Sequence, residues 1–190
     1  MLIADDRVTI IGSANINDRS MLGSRDSEVA VIIEDEEFDD YTMNNQSFKS
    51  GKFSGSLRRM LMREHLGIHK NSTNNNFKMN HLEMMKMIEA ANDPVCDEFW
   101  FEQWNATAKL NTLIYEEVFS VIPTNEVKCT ADIEDYLQKP KLYKEDKNKA
   151  LERLTEIKGH LVFLPLDFLI DEPHTNYSTQ DHFIPQIVWT

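Results

Sequence analysis

The chain has little that would staple it together, export it or hold it in a membrane. Only two cysteines occur in 190 residues, Cys96 and Cys129, neither close in sequence nor in a repeated C-x-x-C pattern. That usage points away from a disulfide framework and toward a reduced, cytosolic compartment. No apolar run approaches the ~20 residues a membrane span needs, and strand-like residues begin at once, without the basic and apolar regions of a secretory signal. The expectation is a chain neither secreted nor integral to a membrane, in which the N-x-S/T triplets at Asn45, Asn71, Asn105 and Asn176 are chance matches. Positive charge is also scarce. Twenty Lys and Arg against 32 Asp and Glu give a net charge of -12 and a pI near 4.9, which disfavours generic adhesion to nucleic acid or to anionic membranes. A hydrophobic share of 41% and a charged share of 27% are ordinary for a globular fold. The length fits one domain with a real core or the tail of a larger enzyme.

Two metal patterns fail for want of a member. His65 and His69 stand at i, i+4, but Gly67 lies between them and no H-E-x-x-H glutamate accompanies them. The acidic run from Glu34 to Asp40 lacks the alternating Asp and the turn Gly of an EF-hand loop, so it reads as a solvated loop.

Leu2 to Ala4 and Val8 to Ile11 are β-branched runs split by Asp5-Asp6-Arg7, the composition of a hairpin. A loop over Gly12 to Asn17, a helical turn over Asp18 to Leu22 and a third strand over Glu28 to Ile33 follow, so a buried sheet is expected near the start. Phe53, Leu57, Met60 and Leu61 predict an amphipathic helix with Arg58, Arg59 and Arg63 toward its other side and Gly67 as its stop. The Asn-rich stretch 71–80 reads as a linker. Helices are expected over Leu82 to Ala91, Cys96 to about Val121, Asp132 to Gln138 and Lys144 to Ile157, then a strand over His160 to Leu166. Met84, Met85 and Met87 read as helix packing. The apolar end, through Trp189 and Thr190, is expected to be docked. The fold class is α/β, a mixed β-sheet flanked by helices, with boundaries at 1–69, 70–81 for the linker and 82–190 for a helix-rich region.

One spacing carries chemistry. Asp5, six residues, then Gly12-Ser13-x-Asn15 matches the tail of H-x-K-x4-D-x6-G-S-x-N. In that register the motif Lys falls immediately before Met1 and the His two residues further upstream. Alone, Gly-Ser is a turn signal; the spacing from a strand-end Asp makes it more. Asn15 carries an amide that can donate to a phosphoryl oxygen, Ser13 a hydroxyl that can do the same or fix the loop, and Gly12 allows close backbone approach.

The string resembles the second motif region of eukaryotic phospholipases D. The likeness continues through Asn15-Ile-Asn-Asp-Arg-Ser-Met-Leu-Gly23 and Arg25-Asp-Ser-Glu-Val-Ala-Val31 to Asp93-Pro94, Trp104-Asn-x-Thr-Ala108, Asn125-Glu-Val127, Lys158-Gly159 and Val188-Trp189-Thr190. It implies hydrolysis of phosphatidylcholine to phosphatidic acid and choline through a phosphohistidine, at a site shared by two His-Lys-Asp lobes. By position, Asn15 and Ser13 would hold phosphate, Asp5 would be structural, and Glu28 would orient a catalytic His, with Asp26 the runner-up. Thr190 would lie toward the substrate, because the C-terminus of such enzymes folds back to the active site. The resemblance further implies a phospholipid surface, small GTPases, an N-terminal lobe and a phosphoinositide activator as partners, a peripheral membrane location, and no metal or organic cofactor. Arg19 and Arg25 read as partners of nearby acids or as groups facing lipid phosphate. Lacking the motif His and Lys, these residues alone should be inactive. The competing readings are a noncatalytic product that binds a full-length enzyme, and another phosphodiesterase of the superfamily such as a nuclease or cardiolipin synthase.

Overall fold

The computed structural model describes residues 1–68 and 81–172; the Asn-rich stretch, His69 and the expected docking of Trp189 and Thr190 lie outside them. The described chain is α/β, small antiparallel sheets alongside helices. Strands β1 (Leu2–Ala4), β2 (Val8–Gly12) and β3 (Ala30–Glu34) form one sheet in that order, with Leu2 opposite Ile10 and Gly12 opposite Ala30. The β1–β2 turn is tight. Asp5 and Asp6 both sit at φ 51°, and the Arg7 N–H donates to the Ala4 carbonyl at 2.9 Å, a turn for which short polar side chains are suited.

Strands β4 (Phe38–Met43) and β5 (Gln46–Gly51) form a second hairpin. The acidic run is therefore not simply a solvated loop. Its end enters β4, and both Asp35 carboxylate oxygens accept N–H groups at the start of helix α2 (Lys52–His65), from Phe53 at 2.7 Å and Ser54 at 2.8 Å. Burial opposes charge on Asp35, but the Ser54 hydroxyl and these two amides hold its carboxyl below the usual range. Helix α2 ends where expected, with Gly67 at φ 75°. Its faces, however, do not divide as expected, with Leu57, Leu61 and Arg63 all half-buried. Phe53 and Met60 are exposed, whereas Arg59 is buried and Arg58 nearly so.

The expected buried sheet is also corrected. Thr9 is fully buried, its hydroxyl donating to Ser54 Oγ on α2 at 2.8 Å, but most of β3 is exposed. Val31 remains 59% exposed and Ile32 62%. Strand β3 starts at Ala30, so Glu28 lies just before it.

Beyond come α3 (His81–Ala90), α4 (Asp97–Phe99), a π-helical stretch (Trp100–Asn105), α5 (Ala106–Phe119), α6 (Asp132–Leu137), α7 (Leu142–Glu145) and α8 (Lys147–Leu154). The single helix expected over Cys96 to Val121 thus changes winding at Trp100 and stops at Phe119, where Ser120 takes φ 49°. The helix expected over Lys144 to Ile157 is two. Asp146 leaves helical geometry and its Oδ1 accepts the Asn148 and Lys149 N–H groups, starting α8 afresh. His160 to Leu166 is not a strand. Among the described residues no ladder forms there, and the Phe163 N–H donates instead to Thr112 Oγ1 at 2.8 Å.

The chain divides into two compact units, Met1–Asn111 with Thr155–Val162, and Thr112–Leu154 with the residues from Phe163. The first has a core of Leu66, Ile68, Ala91, Cys96, Phe99, Ala108 and Leu161, against which Met84, Met87 and Trp104 pack, while Met85 faces out. The second buries Ile114, Val118, Val127, Tyr136 and Ala150.

Candidate functional site

The loop Gly12-Ser13-x-Asn15 leaves β2 at the end opposite the Asp5-Asp6 turn. That turn is the anchor of the strand pair. Asp6 is buried and accepts two hydrogen bonds from the Arg58 guanidinium, Nε to Oδ1 at 2.6 Å and Nη2 to Oδ2 at 2.8 Å. Ser50 Oγ donates to the same Oδ2 at 2.9 Å, and Arg59 Nη1 donates to Ser50 at 2.9 Å while its guanidinium stacks 3.8 Å above the Tyr41 ring. Burial alone would raise the Asp6 pKa. The Arg58 bonds and charge, with Ser50 and Arg59, outweigh it and hold the carboxyl below its usual value. Arg58 also reaches the Ala91 and Asn92 carbonyls at 3.3 Å, and Asp93 accepts the Asn44 and Asn45 N–H groups of the β4–β5 turn at 2.8 Å each. Turn, helix and second hairpin are thereby fixed to one another, and β2 points its far end at a defined place.

At that far end Gly12 is opposite Ala30, and no side chain fits there. A Cβ on Gly12 would stand 2.6 Å from both the Ala30 Cβ and the Val29 carbonyl oxygen. The close approach lets Ser13 lock onto the segment before β3. Its N–H donates to the Val29 carbonyl at 3.0 Å, its hydroxyl accepts the Val29 N–H at 3.1 Å, and that hydroxyl donates to Glu28 Oε2. A serine hydroxyl has one proton, so with Glu28 taking it, Ser13 fixes the loop in this geometry.

Ser20 on α1 (Asp18–Met21) completes the cluster. Asn17 caps this turn by accepting the Ser20 N–H at 3.0 Å, while Ser20 Oγ accepts the Asn15 N–H at 3.1 Å. The hydroxyls of Ser13 and then Ser20 lower the Glu28 pKa against small opposing effects of burial and Asp26. Glu28 is therefore an anion near neutral pH, able to accept an N–H. Asn15 is exposed, and among the described residues no hydrogen bond holds its carboxamide.

Ser13, Asn15 and Glu28 are thus brought together. Asp5 sits exposed at the distant turn, and the carboxylate that is built into the fold there is its neighbour Asp6. Asp26, the other acid considered, pairs with Arg19 at 2.6 Å, which is the ion-pair reading of that arginine. Thr190 lies outside the described residues. His65 stacks on Trp104 with ring centroids 6.1 Å apart, and its Nδ1 lies 2.7 Å from the Leu61 carbonyl. Sequence reasoning passed over Ser20 and Asp6. The signal for Ser20 was Asn17 three residues earlier, a helix-capping spacing; for Asp6 it was the pair Arg58-Arg59 on a helix otherwise read as apolar inside.

A phospholipase D family model matches residues 1–138. Human phospholipase D1 is 40% identical over 191 aligned positions that cover all of this chain and 16% of that protein. Bovine phospholipase D2 is also 40% identical, with all of this chain and 19% of that protein aligned. Phospholipase D zeta 1 of Arabidopsis thaliana is 40% identical over 90% of this chain and 16% of its own length. The chain therefore spans between 16% and 19% of the length of these relatives. Among the described residues no helix is long and apolar enough to cross a membrane. With the match covering most of its length and the motif loop locked to Glu28 in one cluster, this chain belongs to the phospholipase D family.

Proposed function

We propose that this chain supplies one part of a phosphodiesterase centre that cleaves phosphatidylcholine to phosphatidic acid and choline at a membrane surface. The observation that carries the reading is the cluster at the end of β2, where Asn15 is presented to solvent with its backbone N–H on Ser20 while Ser13 holds an ionised Glu28. In the reaction a His nitrogen attacks phosphorus, forming a P–N bond as the P–O bond to choline breaks. A second His gives its proton to the choline oxygen. Water then attacks phosphorus, breaks the P–N bond and returns a proton to that second His, leaving phosphatidic acid. Asn15 donates its amide N–H to a nonbridging phosphoryl oxygen as charge builds there. Glu28 accepts the N–H of one imidazole and sets its tautomer, as the acid of a catalytic triad does. The motif Lys neutralises the phosphate. That His and Lys, and the other lobe with its own His, are contributed from beyond these 190 residues; the uncovered apolar residues Val31 and Ile32 are in keeping with a further packed layer. Small GTPases and a phosphoinositide would regulate the assembled enzyme.

Choline release from phosphatidylcholine vesicles tests this. The complete gene product is expected to release choline and the purified 190-residue chain to release none. Turnover by the 190 residues alone would mean that a different nucleophile is at work.

A further inference from the structure

The chain as a whole carries -12 and repels an anionic surface, but its charge is unevenly spread. Residues 139–149 hold Lys139, Lys141, Lys144, Lys147 and Lys149 against Glu145 and Asp146, so a quarter of the chain's 20 Lys and Arg fall in 11 of its 190 residues. Nearby acids of the same unit are engaged elsewhere. Glu126 pairs with Lys139, Glu117 of α5 pairs with Arg153 at 2.8 Å, and Glu116 accepts the Thr124 hydroxyl at 2.7 Å. Among the described residues Lys141, Lys144, Lys147 and Lys149 have no ion-pair partner, and the last three are exposed. Apolar side chains stand between these cations on a fixed footing. Tyr143 of α7 packs on Phe119 with ring centroids 5.6 Å apart, and Phe119 stacks on Tyr115 at 6.3 Å, which ties α7 to α5. The Tyr143 residue is nonetheless 42% exposed, with Lys144 Nζ 5.8 Å from its ring centroid. On α8 Ala150 is buried, while Leu151, 54% exposed, lies one turn beyond Lys147 on the same face.

We propose that α7 and α8 form a surface that binds the anionic headgroups of a phospholipid bilayer. All five cations are lysines. A lysine ammonium is a hydrated point charge on a flexible stem, suited to headgroups that diffuse and present no fixed geometry, whereas a phosphate or carboxylate held in place on a protein or nucleic acid favours the planar fork of arginine. A half-exposed tyrosine beside lysine is also the pairing that rests at a membrane interface, its ring at headgroup level and the ammonium in water. Leu151 adds an apolar side chain on the face of Lys147. The proposal rests on the reading of this chain as part of an enzyme acting at a membrane, and it deepens that reading by making the contact local: an acidic chain meets an acidic surface through this segment.

The test uses the complete gene product with Lys141→Gln, Lys144→Gln, Lys147→Gln and Lys149→Gln combined, beside a form with the same four changed to Arg. On phosphatidylcholine vesicles containing about 30% phosphatidylserine, sedimentation should show the glutamine form bound about tenfold or more weakly, since each lysine near an anionic surface adds to the attraction. Its binding should also depend less on salt, and the arginine form should bind as the unmodified protein does. On vesicles of phosphatidylcholine alone all three should bind alike, and choline release from short-chain phosphatidylcholine dissolved as monomers should not change. If the glutamine form does not fold, Lys141→Gln with Lys144→Gln, and Lys147→Gln with Lys149→Gln, should each weaken binding about threefold. Unchanged binding to the anionic vesicles overturns the proposal and assigns the lysines to an acidic protein partner. An equal loss on vesicles of phosphatidylcholine alone overturns it too, because the contact would then not be one of charge. Failure of the unmodified complete gene product to release choline would instead overturn the phospholipase reading, while sedimentation would still report on the lysines.

Discussion

Ser13 has one hydroxyl proton and Glu28 takes it. Ser13→Ala should therefore act through Glu28 as much as through the loop. The mutant carboxyl titrates at higher pH, so the acid limb of kcat/KM shifts upward, with a loss of about tenfold near neutral pH. A Ser13 that served only to donate to phosphate would lower the rate and leave the limb in place. At the other end of β2, Asp6 is the residue on which the turn depends. Its side chain is 2% exposed and that of Arg58 12%, so Asp6→Asn strands a buried guanidinium. Urea unfolding should show a loss of about 3–5 kcal/mol, whereas Asp5→Asn, at an exposed position, should change stability by no more than about 0.5 kcal/mol. The spacing of the motif identified Asp5 by pattern. It could not reveal that the next residue turns inward, because that depends on Arg58, which lies 52 positions away.

Helix α2 and the β1–β2 hairpin were legible because their signals are local: β-branched runs around an Asp-Asp turn, and an apolar repeat closed by Gly67. Which face of α2 lies inward was not, since the partners that bury Arg58 and Arg59 are Asp6, Ser50 and Tyr41, on other elements. The β4–β5 hairpin was hidden by its own charges. Asp39 and Asp40 read as loop, yet Asp40 simply pairs across the ladder with Lys49 at 2.6 Å. Conversely, residues 160–166 have strand composition but no ladder partner among the described residues; the His160 N–H goes to the His65 carbonyl at 2.9 Å, and Leu161 and Phe163 meet side chains of α5, Asn111 Nδ2 donating to the Leu161 carbonyl at 2.8 Å. The strand pairing that positions the site rests on Gly12. Gly12→Ala must push β2 from β3, with an expected loss of about 1–3 kcal/mol and release of Glu28 from Ser13, visible as faster amide exchange at Val29. Removal of the cap by Asp35→Ala should cost about 1 kcal/mol in thermal unfolding while leaving exchange at Val29 as it was.

The first unit places two buried acids, Asp6 and Asp93, and the half-buried Asp35 at joints between elements, and these joints share a pH response. Asp6, Asp35 and Asp93 are each held below the usual carboxyl range despite their burial, by Arg58 in the first case and by hydrogen-bond donors, chiefly backbone amides for Asp93, in the others. A depressed folded pKa adds stability that is complete above the unfolded value, about 4, and is lost as pH falls through the folded one. The melting temperature of the first unit, followed through Trp100 and Trp104, should thus hold steady down to about pH 5 and fall steeply below about pH 4. The relation of this unit to catalysis comes down to Asn15, exposed in the loop after β2 with its carboxamide held by no hydrogen bond among the described residues. Choline release by the complete gene product carrying Asn15→Ala measures that relation most directly. Loss of a preorganised donor to the phosphoryl oxygens predicts a fall in kcat of about 100-fold or more with the thermal melt unchanged; release within about twofold of the unmodified protein would contradict the assignment of this loop to phosphate.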